Sequence, residues 1–152
     1  MLHIYIDADA CPVKDEVYKV AARYALSVTL VANSYMRIPG GDVKLVVVDK
    51  GRDEADDRIV EAVGRDDIVI TGDIPLAARC LDKGARVLGH KGRPFTEQNV
   101  GDALANRHLL AQLREQGVMA GGPPPFTPKD RSLFLQQLDE MVNAILRDNP
   151  DA

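Results

Sequence analysis

Residues 2–32 read LHIYIDADACPVKDEVYKVAARYALSVTLVA, and a strand–helix–strand unit accounts for all of them. Leu2–Ile6 is a short apolar run that breaks at Asp7. Pro12 suits a first helical turn, and Val13, Val17, Val20, Ala21 and Tyr24 then recur at helical spacing. Val28–Ala32 is a second apolar run, ending in Asn33-Ser34. Two such strands joined by a helix of this length pair in parallel.

The alternation continues along the chain. Val43–Val48 reads as a third strand ending at Asp49, and Arg52–Val63 as a helix with Ala55, Ile59, Ala62 and Val63 on one face. Ile68–Thr71 is a fourth strand, followed by Gly72-Asp73 and a short helix that Gly84 stops; Ala85–Leu88 is a fifth. Continuous Val/Ile runs predict a parallel sheet covered on both faces. After Gly89 the pattern turns helical. Thr96 caps a helix running to about Gln116, Gly117 ends it, and Gly121–Pro125 forms a stiff loop. Thr127-Pro128-Lys129-Asp130 carries a capping signature, and Phe134, Leu138, Met141, Val142 and Ile145 form one stripe behind it. The expectation is one α/β domain over residues 1–152, a three-layer sandwich with a mostly parallel five-stranded sheet. Its core covers about 1–90 and its helical C-terminal part about 95–148.

Composition narrows the function. The 19 basic and 23 acidic residues leave a net charge of −4, which argues against a broadly electrostatic nucleic-acid binder. The absence of Trp argues against a base-stacking platform. Cys11 and Cys80 lie too far apart in sequence for a disulfide-dense scaffold. No stretch is apolar for the length of a membrane span, and Met1 leads almost directly into a strand, so a cytoplasmic protein is expected. Charge is nevertheless uneven. Residues 1–78 carry 9 basic and 14 acidic side chains, residues 79–114 carry 7 basic and 3 acidic. Such a pairing suits a site that holds cations and accepts phosphates; by count alone, a solvated surface whose charges happen to cluster is the better account.

Ligands of open parallel sheets bind beyond the carboxyl ends of the strands. The residues there are Asp7 and Asp9, Asn33 and Ser34, Asp49, Thr71 and Asp73, and His90. Asp53, Asp56 and Asp57 begin the helix after the third strand and can still look toward that rim. Several carboxylates at one edge repel unless a cation lies between them, and hard oxygen ligands select Mg²⁺ or Mn²⁺ over zinc. Each has a structural alternative. Asp73 suits a helix cap, and acids at a helix start favour its dipole. Cys11 and Cys80 read as buried small hydrophobes. Lys91 and Arg93, in Gly89-His-Lys-Gly-Arg-Pro94, could clamp a phosphate or merely be solvated.

A resemblance enters at Asp7-Ala-Asp-Ala-Cys-Pro-Val-Lys14, Ala32-Asn-Ser34, Ala55-Asp-Asp-Arg-Ile59 and Ile70-Thr-Gly-Asp-Ile-Pro-Leu-Ala77. With Lys83-Gly-Ala85, Gly121-Gly-Pro-Pro124 and Phe126-Thr-Pro-Lys-Asp-Arg131, these runs resemble the YaiI/YqxD-like bacterial proteins over nearly the whole chain. That family is functionally uncharacterised and grouped with PIN-like domains. The resemblance implies a PIN-like fold and a nuclease site whose acids map onto Asp7, Asp9, Asp56 (with Asp53 or Asp57 beside it) and Asp73. Many PIN nucleases carry a further acid after the last of these, where this chain reads Ile74-Pro-Leu-Ala77.

Three readings follow. The first is a metal-dependent ribonuclease or phosphodiesterase. Asp7, Asp9, Asp56 and Asp73 would hold one or two Mg²⁺ or Mn²⁺ ions, Lys91, Arg93 and Arg86 would receive phosphates, and Ser34 or Thr71 would orient water, with RNA as substrate by family analogy. The second is a haloacid-dehalogenase-like phosphohydrolase using Asp7 as nucleophile and Asp9 as general acid. The third is a noncatalytic RNA- or protein-binding module. Oligomeric state is not legible.

Overall fold

A computed structural model describes residues 2–51, 53–115 and 125–149, the side chains of 107–115 excepted. Its central strand, β1 (His3–Asp7), alternates fully buried Ile4 and Ile6 with half-buried Tyr5 and Asp7. Neighbouring residues of a strand face opposite sides, so β1 presents an aliphatic face and a second face ending in a carboxylate. The chain continues through α1 (Lys14–Arg23), β2 (Ser27–Ala32), β3 (Val43–Val47), α2 (Glu54–Ala62), β4 (Ile68–Ile70), α3 (Ile74–Asp82) and β5 (Arg86–Leu88). It ends in β6 (Pro94–Phe95), α4 (Glu97–Glu115) and α5 (Pro128–Asp148). The sheet order is β3-β2-β1-β4-β5-β6, parallel throughout except for β6.

Two cores sandwich the sheet. On one face Ile4, Ile6, Val28, Leu30, Ile68 and Ile70 pack with Val13, Val17 and Val20 of the α1 region and with Phe134, Leu138, Val142 and Ile145 of α5. The stripe expected on the last helix therefore covers the sheet, with Met141 half-buried at its edge. Burying each such side chain contributes roughly 1.5–3 kcal/mol. On the other face Val31, Val69 and Val87 meet Ile59 of α2, Leu76, Ala77 and Cys80 of α3, and Val100 of α4. The capping box on α5 forms as its sequence suggests. Thr127 Oγ1 accepts from the Asp130 amide at 3.2 Å and Asp130 Oδ2 from the Thr127 amide at 3.0 Å.

The sheet has six strands, not five. Gly92, at φ +84°, turns the chain so that the Gly89 amide bonds the Arg93 carbonyl, and Pro94–Phe95 returns antiparallel along β5. A Cβ at Gly92 would lie 2.9 Å from the Leu133 and Phe134 backbone, so only glycine lets α5 sit this close. Arg52, Gln116, the helix stop at Gly117 and all of the Gly121–Pro125 loop but Pro125 lie outside the described residues. Among the described residues no helix is long and apolar enough to cross a membrane.

Candidate acidic site at the carboxyl rim

Strand order reverses at β1: the path leads first to β2 and β3, then back across to β4 and β5. Such a switch point leaves a crevice beyond the carboxyl ends of the two strands. Ile6 pairs with Ile70 across β1 and β4, which makes Asp7 and Thr71 the next neighbours, on the face covered by α2 and α3. The Thr71 hydroxyl donates to Asp7 Oδ2 at 2.8 Å and accepts from the Asp73 amide at 3.0 Å. Thr71 is fully buried, so in this state it braces two acids and faces no solvent. Asp73 is the N-cap of α3, its Oδ1 accepting from the Leu76 amide at 3.0 Å, with Pro75 in the first turn. The capping alternative for Asp73 is realised through Oδ1 alone.

Asp9 is fixed from the residue after β2, where the Asn33 amide donates to its Oδ2 at 2.9 Å. Between Asp9 and Cys11 the backbone passes through Ala10 at φ +61°, a left-handed conformation that costs a non-glycine residue about 1 kcal/mol. Asp53 precedes α2 in the same conformation, at φ +66°. Of the three acids opening α2, Asp57 turns outward to Arg79 of α3 at 2.9 Å, whereas Asp56 feels the charge of Asp73, Asp7 and Asp53. Burial and then those three charges push the Asp56 carboxyl up to about 6, with Arg79 opposing them. Asp7 is also raised, by burial foremost and then by Asp73 and Asp9, against the Thr71 hydrogen bond. Both shifts have the sign expected of half-buried carboxylates set beside like charge. Among the described residues, no group of three His, Cys, Asp or Glu side chains is placed to hold a metal ion.

The basic residues are spread more widely than their sequence clustering suggests. Lys91 and Arg93 follow β5, two strands from β1 and so roughly 10 Å to its side. Lys91 Nζ stands 3.9 Å from Asp130, and Arg93 is exposed. Arg86 pairs with Ile68 at the amino end of the sheet and meets Asp66 at 3.5 Å, which removes it from the phosphate-binding role considered above. Ser34 is exposed beside Asn33. His90 lies against Gly72 at the rim; burial lowers its pKa, and its Nε2, like Asn33 Oδ1, is buried without a hydrogen-bond partner. Both cysteines are buried, and burial raises both thiols, that of Cys80 to about 11, so neither is poised as a nucleophile.

Sequence reasoning missed what braces the loop between β1 and α1. Arg131 Nη1 donates to the Pro12 carbonyl at 2.8 Å and to buried Glu16 at 2.6 Å, and its guanidinium lies 5.0 Å from the Phe126 ring centroid. The Phe126–Arg131 run thus joins the Asp7–Pro12 loop to α5, and only its capping half was readable in advance.

The class of protein that the structure defines is an α/β sandwich built on a mostly parallel six-stranded sheet. The chain belongs to the family described as "Uncharacterized BCR, YaiI/YqxD family", whose profile matches residues 5–144. It is 58% identical over 151 residues to a UPF0178 protein of Parvibaculum lavamentivorans, covering 99% of each chain. It is 56% identical over 148 residues to UPF0178 protein amb2838 of Paramagnetospirillum magneticum, covering 97% of this chain and 98% of that one. No solved structure matches.

Proposed function

We propose that the protein is a metal-dependent phosphodiesterase of PIN-like type that cuts RNA, with Asp7, Asp9, Asp56 and Asp73 as its acidic centre. The observation that carries this reading is Thr71, whose hydroxyl joins Asp7 at the end of β1 to Asp73 at the head of α3, with Asp56 of α2 near enough to feel the charge of both. A fold gains nothing from such repulsion unless a cation offsets it. The donors are all carboxylate oxygens, which suits Mg²⁺ or Mn²⁺ by chemistry. Mg²⁺ keeps several waters and takes one or two carboxylates together with substrate phosphates, so it does not require three acids crowded together beforehand.

When bound, such an ion supplies charge neutralisation of the phosphate and a more acidic water. The chain's own residues do the positioning. Thr71 holds Asp7 by Oδ2, and the Asn33 amide holds Asp9 by Oδ2. Asp73 is fixed by its own capping bond. Lys91 and Arg93 stand to one side, where the flanking phosphates of a longer strand would run. Half-buried and bonded to Thr71, Asp7 favours this shared role over that of a free nucleophile in a phosphohydrolase.

The test is cleavage of labelled single-stranded RNA and DNA oligonucleotides with Mn²⁺ or chelator, alongside melting curves, for wild type and Asp7→Asn. Metal-dependent cleavage of RNA and a metal-dependent rise in Tm, both lost in Asp7→Asn, are expected. No cleavage and no Tm shift of wild type at millimolar Mn²⁺ would leave the noncatalytic binding module in its place.

A further inference from the structure

Beyond β2 the chain runs Asn33-Ser-Tyr-Met-Arg-Ile38, irregular in backbone but ordered in its packing. Met36 and Ile38 are half-buried against the core shared with α1 and α5. Tyr35 and Arg37, between and beside them, face outward. Tyr35 is 81% exposed, the highest value for a large hydrophobic side chain among the described residues. An aromatic ring left in water contributes nothing to this fold, while its neighbours hold the backbone beneath it in place.

Its position is specific. The Asn33 amide is bonded to Asp9, and two residues further on Tyr35 can lie at most about 7 Å along the chain from that anchor. Arg37 lines a groove of about 870 Å³ between this loop and α1, whose walls also include Lys19 of α1 and Arg131 of α5. The Arg131 charge is taken up by Glu16, which leaves Arg37 and Lys19 as the cations of the groove, with Asp15 the opposing acid.

We infer that Tyr35 and Arg37 form a docking pair for single-stranded nucleic acid, the ring stacking on one base and the guanidinium meeting a neighbouring phosphate beside the Asp7–Asp9 rim. This rests on the phosphodiesterase reading and names how its substrate is held. A ring stacks on any base, so the pair selects single strands, whose bases are open, without selecting sequence. A single ring is not the extended platform that the composition argues against. It grips one nucleotide.

The chain has no Trp, so Tyr35→Trp supplies one indole emitter at the proposed contact. RNA octamers and an abasic phosphodiester of equal length are rapidly mixed with this variant, in Mn²⁺ and in chelator. Saturable quenching by the octamers and none by the abasic polymer is expected. Tyr35→Ala should weaken RNA binding about five-fold or more and raise KM with kcat little changed, while Tyr35→Phe keeps wild-type affinity. Arg37→Ala should lower the salt dependence of binding by about one phosphate contact. Equal quenching by both polymers, or wild-type affinity in a Tyr35→Ala protein of unchanged Tm, overturns the inference. If wild type cleaves with metal and Asp7→Asn does not, that failure belongs to the docking pair alone. Quenching without metal-dependent cleavage overturns the nuclease reading and leaves the pair standing, and failure of both overturns both.

Discussion

Asp56→Asn should make the metal-free protein more stable at neutral pH, although it changes a residue of the candidate site. A carboxyl moved from 3.8 to about 6 is harder to ionise in the folded chain than in the unfolded one. Were the site sealed, the difference would be ~3 kcal/mol at pH 7. Solvent reaches this side chain and screens the repulsion, so about 1 kcal/mol is the expected gain from Asn. For a chain of this length that raises Tm by roughly 2–4 °C. The sign with pH is opposite to that of an ordinary paired carboxylate. Between pH 3.8 and about 6 the folded state binds more protons than the unfolded state, so the Asp56 contribution falls as pH rises through that window. The advantage of Asn is therefore full above about pH 6 and vanishes below pH 3.8. Urea denaturation of both proteins in chelator, at pH 7.5 and at the lowest pH where both stay folded, measures it. An Asn variant that is less stable at pH 7.5, or whose advantage is the same at both pH values, refutes the charge-repulsion argument.

Other outcomes follow from the same geometry. Asp73→Ala should destabilise by about 1 kcal/mol through loss of the α3 cap, while Asp73→Asn keeps the capping oxygen and should not; thermal melts of the two separate capping from charge. Gly92→Ala should cost about 2 kcal/mol or more, since it adds left-handed strain and a 2.9 Å approach to the backbone of α5; low soluble yield or a lowered urea midpoint reports it. Arg131→Ala leaves Glu16, only 5% exposed, without its cation and should cost roughly 2 kcal/mol, with amide exchange rising in residues 8–13 as well as in α5. His90, whose pKa burial lowers, should disfavour the folded state as pH falls below 6.5; His90→Asn should flatten that part of the stability profile.

The strands and their parallel pairing were legible because β1, β2 and β4 are short Val/Ile runs, each ending at a polar residue. That rule placed Asp7 at a strand end and Asp73 at the head of a helix. It could not choose among Asp53, Asp56 and Asp57, since adjacent residues of a helix point about 100° apart and the partner decides. Arg79, from the next helix, takes Asp57. Arg86 sits in a basic run by sequence, yet strand register sends it to the far end of the sheet. β6 is two residues long and begins with proline, below the length at which any period can be read. The Arg131 bond to Pro12 joins residues 119 apart, and no local pattern announces it.

That separation also has a consequence in time. A ribosome adding roughly 5–20 residues per second needs about 6 to 24 s to make the chain between Pro12 and Arg131. Throughout that interval the nascent chain carries Asp7 and Asp9, but the loop that presents them lacks its clasp, and the aliphatic face of β1 lacks α5 to cover it. The loop that presents the two acids is made 119 residues before the side chain that secures it.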